Sequence, residues 1–399
     1  MKDILFLAHR IPFPPNKGDK IRSFHWLKYL SESYRVHLGA FVDDPEDLRH
    51  IPEVECYCAG TCLLPLHPKL AKLRGLKGLV SGAALSIPYY ADRRMSAWVD
   101  GLLARTQVAG ILVFSSAMAQ YAEPHPAVPC IVDFVDVDSD KWRQYAGNKP
   151  WPTAWIYRRE AKKLLDFDRR VAAHATHALF VSEHEAGLFK TLAPEVAARV
   201  RALENGVDTD YFNPGQDYPN PYPEDVKPLV FTGAMDYWAN VDAVAWFADA
   251  VWPALRRECP QARFYVVGSR PTAAVAALGR RDGIVVTGAV PDVRPYLHHA
   301  RCAVAPLRIA RGIQNKVLEA LALAKPVLAS SPAMEGIECG SAPLAVRVVD
   351  GAESWRSVAL DLLRDAALPA VVPENRSFVL ERYGWSNSLA RLGGWLEAL

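Results

Sequence analysis

Short apolar runs rich in β-branched residues recur along the 399-residue chain, separated by longer stretches whose apolar positions repeat at helical spacing. Unbroken apolar runs of this kind predict strands buried on both faces, and their alternation with helices predicts parallel sheets with crossover helices. The pattern predicts strands at 4–8, 36–41, 111–115, 131–135, 178–182 and 200–204, with a long helix at 155–173. After an interruption it restarts with strands at 229–233, 263–268, 284–287, 302–305, 327–329 and 345–349 and helices at 241–257 and 316–323. The interruption holds Pro214, Gly215, Pro219, Pro221 and Pro223, which block both helix and sheet and mark a linker.

The pattern therefore predicts two doubly wound α/β domains, spanning 1–213 and 224–373, with helices at 374–399 crossing back onto the first. Such sheets bind ligands beyond the carboxyl ends of their strands, so the expected active site lies in a cleft between the domains.

Charge changes this picture little. With 46 Lys and Arg against 44 Asp and Glu, the chain has no general drive toward nucleic acid. The first apolar run is too short for an export signal, and no stretch approaches the roughly 20 apolar residues of a membrane span, so a cytoplasmic chain is expected. Seven cysteines predict reduced thiols. Cys56, Cys58 and Cys62 cluster without a second ligand pair, which favours a strand with small buried side chains over a metal site.

Candidate chemistry is densest directly after the strand at 302–305. Arg308, Arg311, Gly312, Ile313, Gln314, Asn315, Lys316 and Glu319 form a glycine-containing loop and a helix start. Gly312 lets the backbone approach a ligand, and the amides of residues 313–315 point along the positive end of the helix dipole. That arrangement suits a diphosphate, with Arg308, Arg311 and Lys316 adding positive charge. Glu319 shares a helix face with Lys316 and can accept ribose hydroxyls. The alternative is a solvated rim in which Glu319 pairs with Lys316.

This segment, with Pro306-Leu-Arg308 before it and Lys325-Pro-Val-Leu-Ala329 after it, resembles the donor site of family-four retaining glycosyltransferases of the GT-B fold. Asn205-Gly-Val-Asp208, Phe231-Thr-Gly-Ala-Met235 with Asn240, Val266-Val-Gly268 and Gly288-Ala-Val290 follow in that family's order. Pro14-Pro-Asn-Lys-Gly-Asp-Lys-Ile-Arg22 and the stretch from Asp133 to Trp142 are similar to sugar transferases of exosortase (PEP-CTERM) exopolysaccharide systems. The resemblance implies a nucleotide diphosphate sugar as substrate, no cofactor, no metal, retention of configuration, and Gly233 and Val290 beside the donor. It implies a lipid-linked or polysaccharide acceptor of the cell envelope.

Departures from the family pattern shift the roles. Arg311 stands where an acid usually holds the donor sugar, and Ala234 and Asn240 stand where basic residues usually grip the diphosphate. Phosphate binding then falls to Arg308, Lys316 and the loop amides, with Arg311 as a supplement. The usual acceptor-side histidine falls near Val135 or Asp136, which makes Asp136 the expected catalytic carboxylate and Asp133 the second choice. Gly18, Asp19 and Arg22 follow the first strand. They are expected either to contact the acceptor or, for Asp19, to cap the next helix.

The basic and apolar run from Lys69 to Val80 is either a membrane-surface helix on the inner face of the cytoplasmic membrane or a solvated cover helix. Two other functions fit the same motifs: a nucleotide-sugar epimerase, and a silent nucleotide-sugar-binding subunit.

Overall fold

The computed structural model of the chain describes all residues except 16–17, 148–149, 311–312, 338 and 340–343. Two compact units result, one formed by Met1–Glu204 with Ser388–Leu399 and the other by Asn205–Asn387.

The first unit contains β1 (Lys2–Ala8), β2 (Tyr34–Val42), β3 (Gly60–Pro65), β4 (Val108–Phe114), β5 (Cys130–Val135), β6 (His177–Phe180) and β7 (Val200–Ala202). They pair in the order β3-β2-β1-β4-β5-β6-β7, every pairing parallel. The second unit contains β8 (Lys227–Thr232), β9 (Ala262–Val267), β10 (Ile284–Gly288), β11 (Cys302–Ala305), β12 (Val327–Ala329) and β13 (Val346–Val348), in the order β10-β9-β8-β11-β12-β13 and again parallel. Both are Rossmann-like sheets. The central strands β1 and β8 are buried beyond their first one or two residues, because crossover helices cover both faces. Phe134, Phe180 and Phe189 stack within the first core, and Phe247, Phe264 and Trp355 pack within the second.

Several expectations change for identifiable reasons. The helix expected over 241–257 is interrupted at Phe247–Val251. Pro253 cannot donate to the carbonyl four residues earlier, and its ring crowds that carbonyl. The proline-rich interruption is no free linker: Tyr218 and Tyr222 are buried in the second core, and Tyr222 Oη donates to the Tyr296 carbonyl at 2.6 Å. The terminal helical stretch splits into Pro373–Arg382 and Trp385–Glu397. At the break the Tyr383 carbonyl accepts from the Val207 amide at 2.7 Å, within the second unit. Of the clustered cysteines only Cys62 lies on a strand; Cys56 is exposed and all three are free thiols.

At the carboxyl ends of β8, β9 and β10 stand Gly233, Gly268 and Gly288, and the Gly268 amide donates to the Gly288 carbonyl at 3.1 Å. Gly268 has φ +155°, and a Cβ there would sit 1.7 Å from the Gly233 carbonyl oxygen. We therefore expect Gly268→Ala to destabilise the second unit by about 3 kcal/mol or more, from backbone strain and overpacking together. A urea midpoint equal to wild type would show that the two backbones separate without cost.

Candidate functional site

The strand order of the second sheet reverses between β8 and β11, and ligands of such sheets bind beyond the carboxyl ends at that reversal. The helix Trp238–Trp246 follows β8 and the helix Asn315–Ala322 follows β11. Two side chains join them there. Lys316 Nζ donates to Asn240 Oδ1 at 2.5 Å and lies 4.7 Å from the centre of the Phe231 ring. Asn240 Nδ2 donates in turn to the Ala234 carbonyl at 2.9 Å, which fixes which end of the amide faces the lysine.

Gly233 makes this possible. A Cβ at that position would come within 2.7 Å of Asn240 Nδ2, so only glycine leaves room for the asparagine.

Glu319 lies one turn beyond Lys316, yet the lysine's hydrogen bond goes to Asn240. Burial lowers the Lys316 pKa to about 8 against the opposing pull of Glu319, and burial raises that of Glu319 to about 7 against Lys316. The two thus share a poorly solvated environment in which each still favours the other's charge. Gln314 is the N-cap of the short helix and is extended in backbone, and its side chain makes no capping hydrogen bond to the first turn. Ile313 and Val290 pack partly buried against the second core.

Arg308 is half exposed and pairs with Asp242, its guanidinium meeting both carboxylate oxygens, with Nε to Oδ2 at 2.9 Å. Arg311 and Gly312 lie outside the described residues. Lys325, from the motif after the site, is buried and donates to the carbonyls of His298 at 2.9 Å and Ala370 at 2.6 Å, a structural role. Tyr237 and Trp238, which a strand end usually buries, are half exposed.

Sequence reasoning missed the parts Asn240 and Asp242 play, since the partners of each are 76 and 66 positions away. It also missed Tyr211, whose hydroxyl donates to Asp292 at 3.3 Å beneath the Arg294 guanidinium, 3.8 Å from the ring centre.

In the first unit Asp133 is fully buried and Arg22 holds it, Nε to Oδ2 at 2.6 Å and Nη2 to Oδ1 at 3.3 Å. Asp136, just past β5, remains partly accessible and accepts from Lys141 Nζ at 2.7 Å. The intervening Val135 has φ +67°, which ends the strand alternation and swings the chain out of the sheet. Asp19 lies in the first turn of the helix Gly18–Ser33 and accepts from Arg10 Nη1 at 2.9 Å, with His9 Nε2 at 3.3 Å. Burial alone would raise its pKa, but the hydrogen bond to His9 and the charges of His9 and Arg10 hold it far below the usual range. A Cβ at Gly18 would meet nothing, so no packing demands glycine there. Among the described residues no three His, Cys, Asp or Glu side chains converge as metal ligands would.

The second unit matches group 1 glycosyltransferases. The matched span is 227–365, against the family described as "Glycosyl transferases group 1". Among solved structures, Anabaena Alr3699/HepE in complex with UDP and glucose aligns over 100% of both chains at 14% identity and a TM-score of 0.64. WaaG, a glycosyltransferase involved in lipopolysaccharide biosynthesis, aligns over 97% of this chain and 98% of its own at 17% identity and a TM-score of 0.61. A glycosyltransferase from Rickettsia africae ESF-5 aligns over 100% and 98% at 12% identity and a TM-score of 0.63. No curated protein matches the chain. At these identities the likeness is one of fold: two Rossmann-like α/β units of the GT-B class.

The Glu319 environment gives a testable pH dependence. Folded Glu319 keeps its proton to about pH 7, whereas its ordinary value is 4.5. Its contribution to stability is therefore full below pH 4.5 and lost as pH rises to about 7. Glu319→Gln, neutral throughout, should match wild type at the acid end and gain in urea midpoint steadily toward pH 7. Parallel midpoint curves for the two proteins would place Glu319 in ordinary solvent.

Proposed function

We propose that this chain is a glycosyltransferase that moves a sugar from a nucleotide diphosphate donor to a cell-envelope or exopolysaccharide acceptor, with retention and without a metal. The observation that carries the reading is Lys316, held by Asn240 at the strand-order reversal of a unit that matches group 1 glycosyltransferases, with Glu319 one turn away. HepE in complex with UDP and glucose supports the donor class, and WaaG supports an envelope acceptor. The segments Pro14 to Arg22 and Asp133 to Trp142 support a place among sugar transferases of exosortase-linked exopolysaccharide systems.

In this reaction the sugar–phosphate bond breaks as the acceptor hydroxyl approaches from the same face, and negative charge grows on the departing diphosphate. Lys316 and the amides at the start of its helix stabilise that charge. One preorganised donor of this kind contributes about 3 kcal/mol in a water-poor site. Glu319 accepts the ribose hydroxyls, and Asn240 aims Lys316 in place of a second basic residue. On the acceptor side we assign the polar role to Asp136, the carboxylate past β5 that stays accessible while Asp133 is sealed against Arg22.

Purified protein should be protected against thermal unfolding by a UDP-, GDP- or ADP-sugar, and Lys316→Ala and Glu319→Ala should each weaken that protection. Lys316→Ala should lower turnover more than donor affinity, because its charge acts mainly on the leaving group. Unchanged nucleotide affinity in both variants would remove this donor site, and conversion of the donor without an acceptor would make the enzyme an epimerase. Since Lys316 loses its proton near pH 8, transfer should decline above that pH. Lys316→Arg should hold activity to higher pH if it retains any. Asp136→Asn should keep donor binding and lose about 100-fold in transfer; full transfer would move the acceptor-side group elsewhere, first to Asp19.

A further inference from the structure

The helix Pro68–Ser81 in the first unit is built inside out for a cover helix. Its buried positions are Ala71, Gly75 and Gly78, spaced so as to fall on one face. A Cβ at Gly75 would meet the Leu85 carbonyl at 3.1 Å, and one at Gly78 the Ala83 carbonyl at 3.1 Å, so small residues let this face sit tightly on the chain beneath. Leu73 and Leu76 point the other way, with Leu70 and Leu79 on the two flanks between. Leu70, Leu73, Leu76 and Leu79 are 37–63% exposed and form a ridge at three-residue spacing. Lys69, Lys72 and Lys77 are exposed beside them, and residues 68–81 contain no acid.

A second helix continues this surface. Thr153–His174 is tied to the first by Arg159, whose guanidinium donates to the Gly78 carbonyl at 2.5 Å and the Ala83 carbonyl at 3.1 Å. Glu160 is buried and accepts from the Leu85 amide at 2.6 Å and the Ser86 amide at 3.2 Å. On its outer face Trp155, Arg158 and Lys162 are exposed at helical spacing, and Trp151 just before the helix is 83% exposed. Between Lys141 and Leu165 the one acid is that buried glutamate, and Asp166, one turn beyond Lys162, is exposed.

We propose that these two helices form a docking surface for an anionic lipid bilayer. Leucines exposed in a row cost solvation in water, and they recover it on entering the acyl boundary of a membrane. Tryptophans with half their surface free suit the headgroup level, where the ring is apolar and the indole N–H stays wet. The lysines and arginines interleaved with them complement anionic headgroups and reach past the apolar ridge with their long stems. Exposed basic residues here far outnumber the one exposed acid, Asp166 at the turn after Lys162, and that imbalance favours anionic headgroups over a protein face of mixed charge. The ties through Arg159 and Glu160 hold both helices in one surface before any lipid arrives. Docking of this surface is independent of the donor chemistry on the second unit.

The test is flotation of the full chain with phosphatidylcholine vesicles, with and without phosphatidylglycerol. Wild type should float with the anionic vesicles and stay behind with the neutral ones. Lys69→Gln/Lys72→Gln/Lys77→Gln should weaken binding roughly 100-fold. Leu70→Ser/Leu73→Ser/Leu76→Ser and Trp151→Ser/Trp155→Ser should each weaken binding to the anionic vesicles by roughly tenfold or more, because apolar insertion adds to the charge attraction. All three variants change exposed residues, so they should keep the thermal midpoint of wild type and its protection by nucleotide sugar. Absence of flotation by wild type, or equal flotation by wild type and all variants, would overturn the proposal. So would a wild-type dimer in light scattering that the leucine variant dissolves to monomer, since the ridge would then bind a second copy.

Discussion

An ammonium group taken out of bulk water needs a fixed acceptor, and in the second unit everything around the reversal of strand order serves to supply one to Lys316. The acceptor is Asn240 Oδ1, 2.5 Å away, with the face of Phe231 below the charge. Asn240 is oriented by the Ala234 carbonyl, and its side chain fits only because Gly233 carries no Cβ. Gly233 in turn lies against Gly268, where a Cβ would overlap its carbonyl. Backbone conformation at two strand ends therefore decides where one positive charge stands.

The same constraint bears on the charges around it. A cation in place of Asn240 would face Lys316 at hydrogen-bond distance and, with no anion between them, repel it. The asparagine instead gives a neutral acceptor that holds the remaining lysine. Arg308, whose charge is shared with Asp242, is then a weaker candidate for a phosphate than the sequence alone suggested. The Lys316 and Glu319 shifts run in opposite directions from one cause, since burial disfavours the charged form of each.

The first unit handles its charges differently. Arg22 and Asp133 are enclosed together, with the guanidinium 4.9 Å from the Trp26 ring, and Lys20 and Asp47 form a second buried pair at 2.5 Å. Buried pairs of this kind add little net stability, but losing one partner strands the other. They pin the helix Gly18–Ser33 to the sheet and to the segment after β2. Asp19 and Asp136 stand near the sheet's carboxyl edge, each with a cationic partner, as does Asp43 beside Arg10.

The alternation of apolar runs and helical stretches was enough to place twelve of the strands within a few residues and to predict two parallel sheets, because a strand covered on both faces must be apolar throughout. It missed the extent of β3, whose partly exposed residues carry no continuous apolar run. The placement of Lys316 and Glu319 on a helix directly after a strand was also legible, being a matter of local spacing. What the sequence could not decide is which distant group meets each one. Asn240 and Asp242 are partners only through the crossing of two helices, and Tyr218 and Tyr222 turn an apparent linker into core because a hydrophobic surface lies within reach. The helix Pro68–Ser81 shows the limit most directly: its basic and apolar run reads as a membrane-surface helix or as a solvated cover helix. The glycine-lined contact with residues 83–85 settled which side turns inward, since only the side without large side chains can approach a backbone that closely.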